Sequence, residues 1–241
     1  MKIATWNLES VRPLTKDRLE IFQSTMRDVN PDVWILTETW EDFTPGDKYQ
    51  RVAVSRSADD LKNSLGRCWV AIWAKLDLSA ESLDNHGQKD RMACAICTKP
   101  GQTRVVVVGT VLPWLSDSLW PGGDGFCRAL ASQATDWQKL SSSHRNCTLV
   151  VAGDFNQSLP YKRWYGSKAG AKALTEATSS NLRCITEGNN PLTGKPRIDH
   201  ICIDTDSLMR LSNPLPETWS VPTLGSKNRP VTDHSGVSID F

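Results

Sequence analysis

Thr148-Leu149-Val150-Val151-Ala152-Gly153-Asp154-Phe155-Asn156 is the stretch whose reading decides the fold. Leu149 to Ala152 are apolar without alternation, the pattern of a strand covered on both faces. The run then ends in an acid and an amide. If the pleat continues, Asp154 and Asn156 share one face and Phe155 turns into the core. The competing reading of Gly-Asp-Phe-Asn is a β-turn, since Gly, Asp and Asn all favour turns. A hydrophobe at its centre, directly after a central-strand run, argues against that.

Similar runs recur on either side, at 2–6, 33–37, 49–55, 68–73, 91–97, 104–112, 182–186, 197–203 and 236–241. Arg104-Val105-Val106-Val107-Val108 is again continuous, as a doubly covered strand would be. Helical spacing separates some of them. Leu19, Phe22, Met26 and Val29 recur at threes and fours, and Pro31 ends that helix. Phe126, Leu130, Ala134, Trp137 and Leu140 mark a second helix, and a weaker third covers about 168–178. Strands and helices are mixed rather than strictly alternating. Two packed sheets with helices outside accommodate that order. No repeat, Pro/Ser-rich linker or low-complexity block divides the 241 residues, so one domain spanning 1–241 is expected.

Composition excludes some functions. No segment has eighteen uninterrupted apolar residues, so no membrane span is expected. Met1 leads straight into a β-like run, without a charged-then-apolar leader, which points to a cytoplasmic protein. The seven cysteines are an odd number, and the one C-x-x-C spacing, Cys94-Ala95-Ile96-Cys97, has no second pair to complete a zinc site, so they read as buried reduced thiols rather than a zinc site or a disulfide framework. Lys and Arg number 28 against 27 acids, a net charge of +1, so no global basic field draws in a polyanion. Of the ten tryptophans, Trp40, Trp114, Trp120 and Trp164 fall in loop-like stretches.

Five short motifs carry the chemistry, each at the end of an apolar run: Thr5-Trp6-Asn7-Leu8-Glu9, Thr37-Glu38-Thr39, Gly153-Asp154-Phe155-Asn156, Ile198-Asp199-His200 and Thr232-Asp233-His234-Ser235-Gly236. Cleaving a phosphate ester needs a cation on the phosphate oxygens, an oriented and deprotonated water, and donors for the developing charge. Glu38 is a hard oxygen ligand suited to Mg²⁺ or Mn²⁺. Asn7 could orient it or lend a carbonyl oxygen. Glu9 would share the Asn7 face if the strand ran on, and Asp233 could reach the metal directly or through water. Asp154 can take a proton from water, and Asn156 can donate its NH₂ to phosphate. Asp199 is a charge in an apolar strand and needs a partner, for which His234 is the candidate. His200 falls on the opposite face and reads as structural.

These motifs resemble those of the endonuclease/exonuclease/phosphatase superfamily, the group of deoxyribonuclease I, exonuclease III, apurinic/apyrimidinic endonucleases, sphingomyelinases and inositol polyphosphate 5-phosphatases. The match runs from Trp6 to Gly236 in family order. It implies a four-layered α/β sandwich of two mixed sheets flanked by helices, and Mg²⁺-dependent phosphoester hydrolysis. It further implies metal binding by Glu38 with Asn7, Asp233 and the acidic position Glu9. Asp154 would activate water, Asn156 would contact phosphate, and an Asp199–His234 pair would act on the transition state. One position departs from the pattern. Where the family often has His or Tyr, near the end of Val108-Gly109-Thr110-Val111-Leu112-Pro113, this chain has Val111. Either that donor is missing or a loop residue replaces it.

Substrate is the least determined part. Arg197-Ile198-Asp199-His200 is not the fourth motif of the 5-phosphatases, and the export signals of secreted members are absent. An intracellular nuclease acting on DNA is the leading expectation. A phosphatase or phosphodiesterase for a small or lipid phosphoester is the second, and a catalytically silent binding domain the third. Tyr161, Lys162, Arg163 and Trp164, with Lys227 and Arg229, mix charge and aromatic rings beside the motifs, which suits phosphate tracking with base stacking. A nucleic-acid partner, no membrane and a monomer are therefore expected.

Overall fold

The computed structural model describes residues 1–10, 15–55, 66–84, 87, 89–118, 120–162, 164–211, 214–224 and 229–241. Strands β1 (Lys2–Asn7), β2 (Val33–Trp40), β3 (Tyr49–Val54) and β4 (Arg67–Lys75) make most of the first sheet. Strands β5 (Ser79–Ser82), β6 (Met92–Thr98), β7 (Val105–Val111), β8 (Thr148–Asp154), β9 (Leu182–Cys184) and β10 (Asp199–Asp204) make the second. The short β11 (Glu217–Thr218) and the last strand, β14 (Val237–Asp240), return to the first sheet, while β12 (Thr223–Leu224) and β13 (Arg229–Pro230) pair with each other. The sheet orders are β11-β14-β1-β2-β4-β3 and β5-β6-β7-β8-β10-β9. Both are mixed: β1–β2 and β7–β8 are parallel, and the other pairs are antiparallel.

Helix α1 (Lys16–Val29) covers the outer face of the first sheet. It starts where Thr15 accepts the Arg18 backbone N–H, and it stops at Asn30, left-handed at φ 46°, directly before Pro31. Its Phe22 and Met26 pack on Trp6, Trp34 and Leu36. Helices α2 (Gly125–Ser143) and α3 (Lys168–Ser179) cover the outer face of the second sheet through Leu130, Trp137 and Leu174. A single-turn-and-a-half helix, α4 (Thr205–Arg210), follows β10 and is capped by Asp204. Between the sheets lies the largest apolar cluster, with Ile3, Ile35, Val70, Val107, Val150 and Ile201. The result is the four-layered sandwich, helix–sheet–sheet–helix, that the family resemblance implies. Both sheets bury both faces, which is why their central strands lack polar alternation.

Three features differ from the sequence reading. The polar edge strand β5 and the short α4 have no apolar periodicity and escaped it. Trp40 is not in a loop: it ends β2 and is 2% exposed. And β1 ends at Asn7; Glu9 is left-handed at φ 55°, so Glu9 does not continue the pleat of Asn7.

The two sheets approach closely at Gly109 of β7. A Cβ there would lie 2.4 Å from Val70 Cγ1 and 2.9 Å from Ile35 Cγ2 of the opposite sheet. Gly109→Ala should therefore destabilise the protein by about 1–3 kcal/mol through overpacking. Gly123→Ala, where nothing lies within 4 Å, is the control and should cost under about 0.5 kcal/mol. Urea unfolding of both variants checks this; equal midpoints would contradict it.

Candidate active site

The strand ends bring one side chain from each sheet to a shared nitrogen. Asn7, the last residue of β1, donates from Nδ2 to Glu38 Oε1 at 3.2 Å and to Asp154 Oδ2 at 3.0 Å. Its Oδ1 accepts the Glu9 backbone N–H at 2.7 Å. Strict alternation from Trp34 and Leu36 would send Glu38 toward α1. A left-handed φ of 46° at Glu38 breaks the alternation and turns its carboxylate to the cleft. Asp154 ends β8 with Val150 and Ala152 on its side and Phe155 on the other, as the pleat requires. The preceding Gly153 has φ 143°, and a Cβ there would lie 2.0 Å from Thr110 O, so only glycine fits. Asn156 spends both Nδ2 hydrogens, on Leu112 O and Asp154 Oδ2, each at 2.9 Å. These contacts make it a steadying group for Asp154.

Across the cleft, Asp199 begins β10 opposite Asp154 in the ladder and accepts from His234 Nδ1 at 2.7 Å. The loop bearing His234 is stapled to β1: Thr232 Oγ1 donates to Asn7 O at 2.9 Å, and Trp6 Nε1 donates to His234 O at 2.9 Å. Arg18 of α1 holds the same loop through Val231 O. Asp233 is mostly exposed, with Oδ1 3.5 Å from His234 Nε2. His200 lies fully buried on the other face, bonded to Gln157 O and Thr186.

This crowding sets the proton affinities. Burial pushes the Asp154 carboxyl up to about 7 against the pull of His234, with Asp199 and Glu38 pushing the same way as burial. Burial opposes charge on His234, but Asp199 beside it lifts the imidazole well above its ordinary range. Burial and then Asp233 raise Glu9.

The sequence reading missed several neighbours. Arg67, at the start of β4, donates to Glu38 Oε2 at 2.8 Å and stacks on Trp69 at 4.6 Å. Arg91 lies 4.2 Å from the same ring and 2.6 Å from Asp117 Oδ2, both residues being shut off from solvent. Beside His234 opens a cleft of about 410 Å³ that Trp164, Tyr165, Lys195, Arg197 and Asp199 help line. Lys195 stands over the Trp164 ring at 4.8 Å, and Trp164 is 54% exposed. Lys162 and Arg229 are exposed; Arg163 and Lys227 lie outside the described residues. None of the missed groups sits in a motif, and only proximity in space marks them.

The donor set fits a divalent cation. Among the described residues, the one group of three His, Cys, Asp or Glu ligand atoms lying within 4.8 Å of one another is Asp154, Asp199 and His234. Glu38 stands next to it through Asn7, whereas Glu9 and Asp233 lie toward the rim. Asp199 Oδ1 is buried with no hydrogen-bond partner, and two of the three converging groups offer hard carboxylate oxygens. Carboxylates crowded this way favour a bound cation over mutual repulsion.

A sequence profile of the Endonuclease/Exonuclease/phosphatase family matches residues 4–234, and the chain belongs to that family as a phosphoesterase of its type. No curated protein matches it by sequence. Among solved structures it is similar to the AP endonuclease LMAP from Leishmania major, with TM-score 0.73, 16% identity, and 99% of this chain and 86% of that chain covered. It is similar to beta toxin from Staphylococcus aureus, with TM-score 0.69, 15% identity, and 100% and 99% covered. It is also similar to D. rerio TDP2 complexed with single strand DNA product, with TM-score 0.65, 14% identity, and 99% and 97% covered. At these identities the structures share the fold.

The raised Asp154 carboxyl predicts how the metal-free protein responds to pH. The folded state keeps this proton up to about pH 7, whereas the unfolded chain loses it near the ordinary 3.8. Its contribution to stability is full below the unfolded value and is lost as pH rises through about 7. With chelator present, melting temperature should fall between pH 5 and 8, and fall much less in Asp154→Asn. Parallel profiles would contradict this.

Proposed function

We propose that this chain is a nuclease that cleaves DNA with Mg²⁺ or Mn²⁺, its residues 1–241 forming one catalytic domain that works in the cytoplasm as a monomer. The observation that carries the reading is the Glu38–Asn7–Asp154 junction facing the Asp199–His234 pair across one cleft. Glu38 would be the chief metal ligand. Asn7 orients it, and Glu9 and Asp233 add negative charge at the rim. A bound divalent cation neutralises phosphate oxygens and acidifies water. Asp154, with a proton affinity near neutrality, takes the proton of the attacking water. Asn156 holds Asp154 in place. His234, kept cationic by Asp199, donates from Nε2 to a phosphate oxygen as charge builds.

A DNA substrate is supported by the rim. Trp164 offers an exposed ring for a base, with Lys195 against it, and Lys162 and Arg229 are exposed cations; the sequence adds Arg163 and Lys227, which lie outside the described residues. The D. rerio TDP2 structure holds single-stranded DNA in the same fold. A small or lipid phosphoester is favoured by one observation, the net charge of +1.

The test is hydrolysis of plasmid, single-stranded DNA, RNA and bis-p-nitrophenyl phosphate, with Mg²⁺, Mn²⁺ or chelator. DNA should be cut only with metal. Glu38→Gln should slow cleavage about 100-fold or more with the fold intact, since each tenfold corresponds to about 1.4 kcal/mol of lost charge stabilisation. Turnover of the small diester with no cleavage of any nucleic acid would move the assignment to the second substrate. Full activity in chelator would end the metal-dependent reading.

A further inference from the structure

Counting hydrogen-bond donors around the acids leaves the cleft short. Both Nδ2 hydrogens of Asn7 go to Glu38 and Asp154, and both of Asn156 go to Leu112 O and Asp154. Val111 has none to give. Arg67 already donates to Glu38, and Arg91 is 2% exposed, ion-paired with Asp117 and stacked against Trp69 and Trp114. Beyond His234, the neutral donors that line the cleft beside Asp199, Asp233 and His234 include Ser235, Thr193, Thr218, Asn190 and Tyr165; the Tyr165 hydroxyl, on a residue 37% exposed, sits on the longest of these side chains.

We infer that Tyr165 is a catalytic residue whose hydroxyl donates to a non-bridging phosphate oxygen, supplying from a loop the donor that Val111 cannot. The inference rests on the phosphoesterase reading of the site. Its geometry is built rather than incidental. The loop leaves β8 just after Asn156 and is clasped at both ends. Ser158 Oγ donates to Tyr165 O at 3.0 Å, and the Ser167 backbone N–H donates to Gln157 Oε1 at 2.9 Å. Gln157 is buried, and its side chain fills the space where a Cβ on Gly166 would stand, with Oε1 at 2.2 Å from that position. Gly166 is left-handed at φ 79°, so the residue after Tyr165 is fixed as glycine by both sterics and conformation. Ser167 then caps α3 through the Gly170 N–H at 2.9 Å. The tyrosine is thus held between two rigid elements. Tyr165 lines the cleft together with Asp199, Asp233 and His234. Burial and these acids keep the phenol protonated, with its pKa pushed up to about 12, so it is a donor at any working pH.

A neutral donor suits this position. A third cation beside Arg67 and Arg91 would compete with the metal for the acids, while a hydroxyl can serve the phosphate and leave the acid charge to the cation.

Tyr165→Phe tests this on bis-p-nitrophenyl phosphate, which needs no contact with the outer loops. The ring stays, so the cleft keeps its shape. kcat should fall about 100-fold with KM changed less than about twofold. Binding of orthovanadate, a five-coordinate phosphate mimic, should weaken by a similar factor, with unfolding midpoint and Mn²⁺ affinity as in the wild type. An active wild type matched in kcat and vanadate affinity by Tyr165→Phe would overturn the role of Tyr165 alone. A higher KM at unchanged kcat would overturn it too, since the contact would then be one of ground-state binding. A wild type without turnover of any phosphoester would overturn this inference together with the reading beneath it.

Discussion

One amide nitrogen, Asn7 Nδ2, joins the two sheets at the point where the chemistry is placed. It stands at the end of β1 in the first sheet, accepts nothing, and gives its two hydrogens to a carboxylate of each sheet, Glu38 and Asp154. Few other residues would serve. An aspartate would bring a third negative charge, and an apolar residue would take one donor from each of the two carboxylates. The rest of the cleft is arranged around this junction. Thr232 anchors the His234 loop to the Asn7 carbonyl, Asn156 braces Asp154 from behind, and Arg67 closes the far oxygen of Glu38. Burial, with Asp199 and Glu38 adding to it, lets Asp154 hold a proton near neutrality, and a divalent cation is the natural complement.

Much of the fold was legible because burial on both faces leaves a plain mark. Val105–Val108 and Leu149–Ala152 read as doubly covered strands, and α1 and α2 announced themselves by spacing and by Pro31. The edge strand β5 and the capped turn-and-a-half of α4 carry no such mark, since an edge or a short helix can be polar along its length. Asn7, Glu38, Asp154, Asn156, Asp199 and His234 do meet in space. Pattern alone would have turned Glu38 the wrong way; a left-handed φ inside β2 redirects it, and no alternation rule encodes that. Arg67, Arg91 and Lys195 were illegible for a different reason. A cation far from a motif comes beside the acids only through the register of another strand or the path of a loop.

The electrostatics separate chemistry from capture. The chain is almost neutral overall, with 28 basic and 27 acidic residues, so long-range steering is weak. Positive charge near the cleft comes from particular side chains, and the exposed Trp164 with Lys195 offers a flat face rather than a basic trough. A substrate that stacks as well as carries phosphate matches this surface better than a bare phosphate does. No described helix is long and apolar enough to cross a membrane.

We propose that Glu38, oriented by Asn7, is the chief ligand of the metal. Anomalous diffraction from crystals equilibrated with Mn²⁺ locates the ion. A dominant peak is expected within about 2.0–2.6 Å of a Glu38 carboxylate oxygen, on the side facing Asp154. A dominant peak held by Asp233 and Glu9 at the rim, with Glu38 still bound only to Asn7 and Arg67, would contradict it.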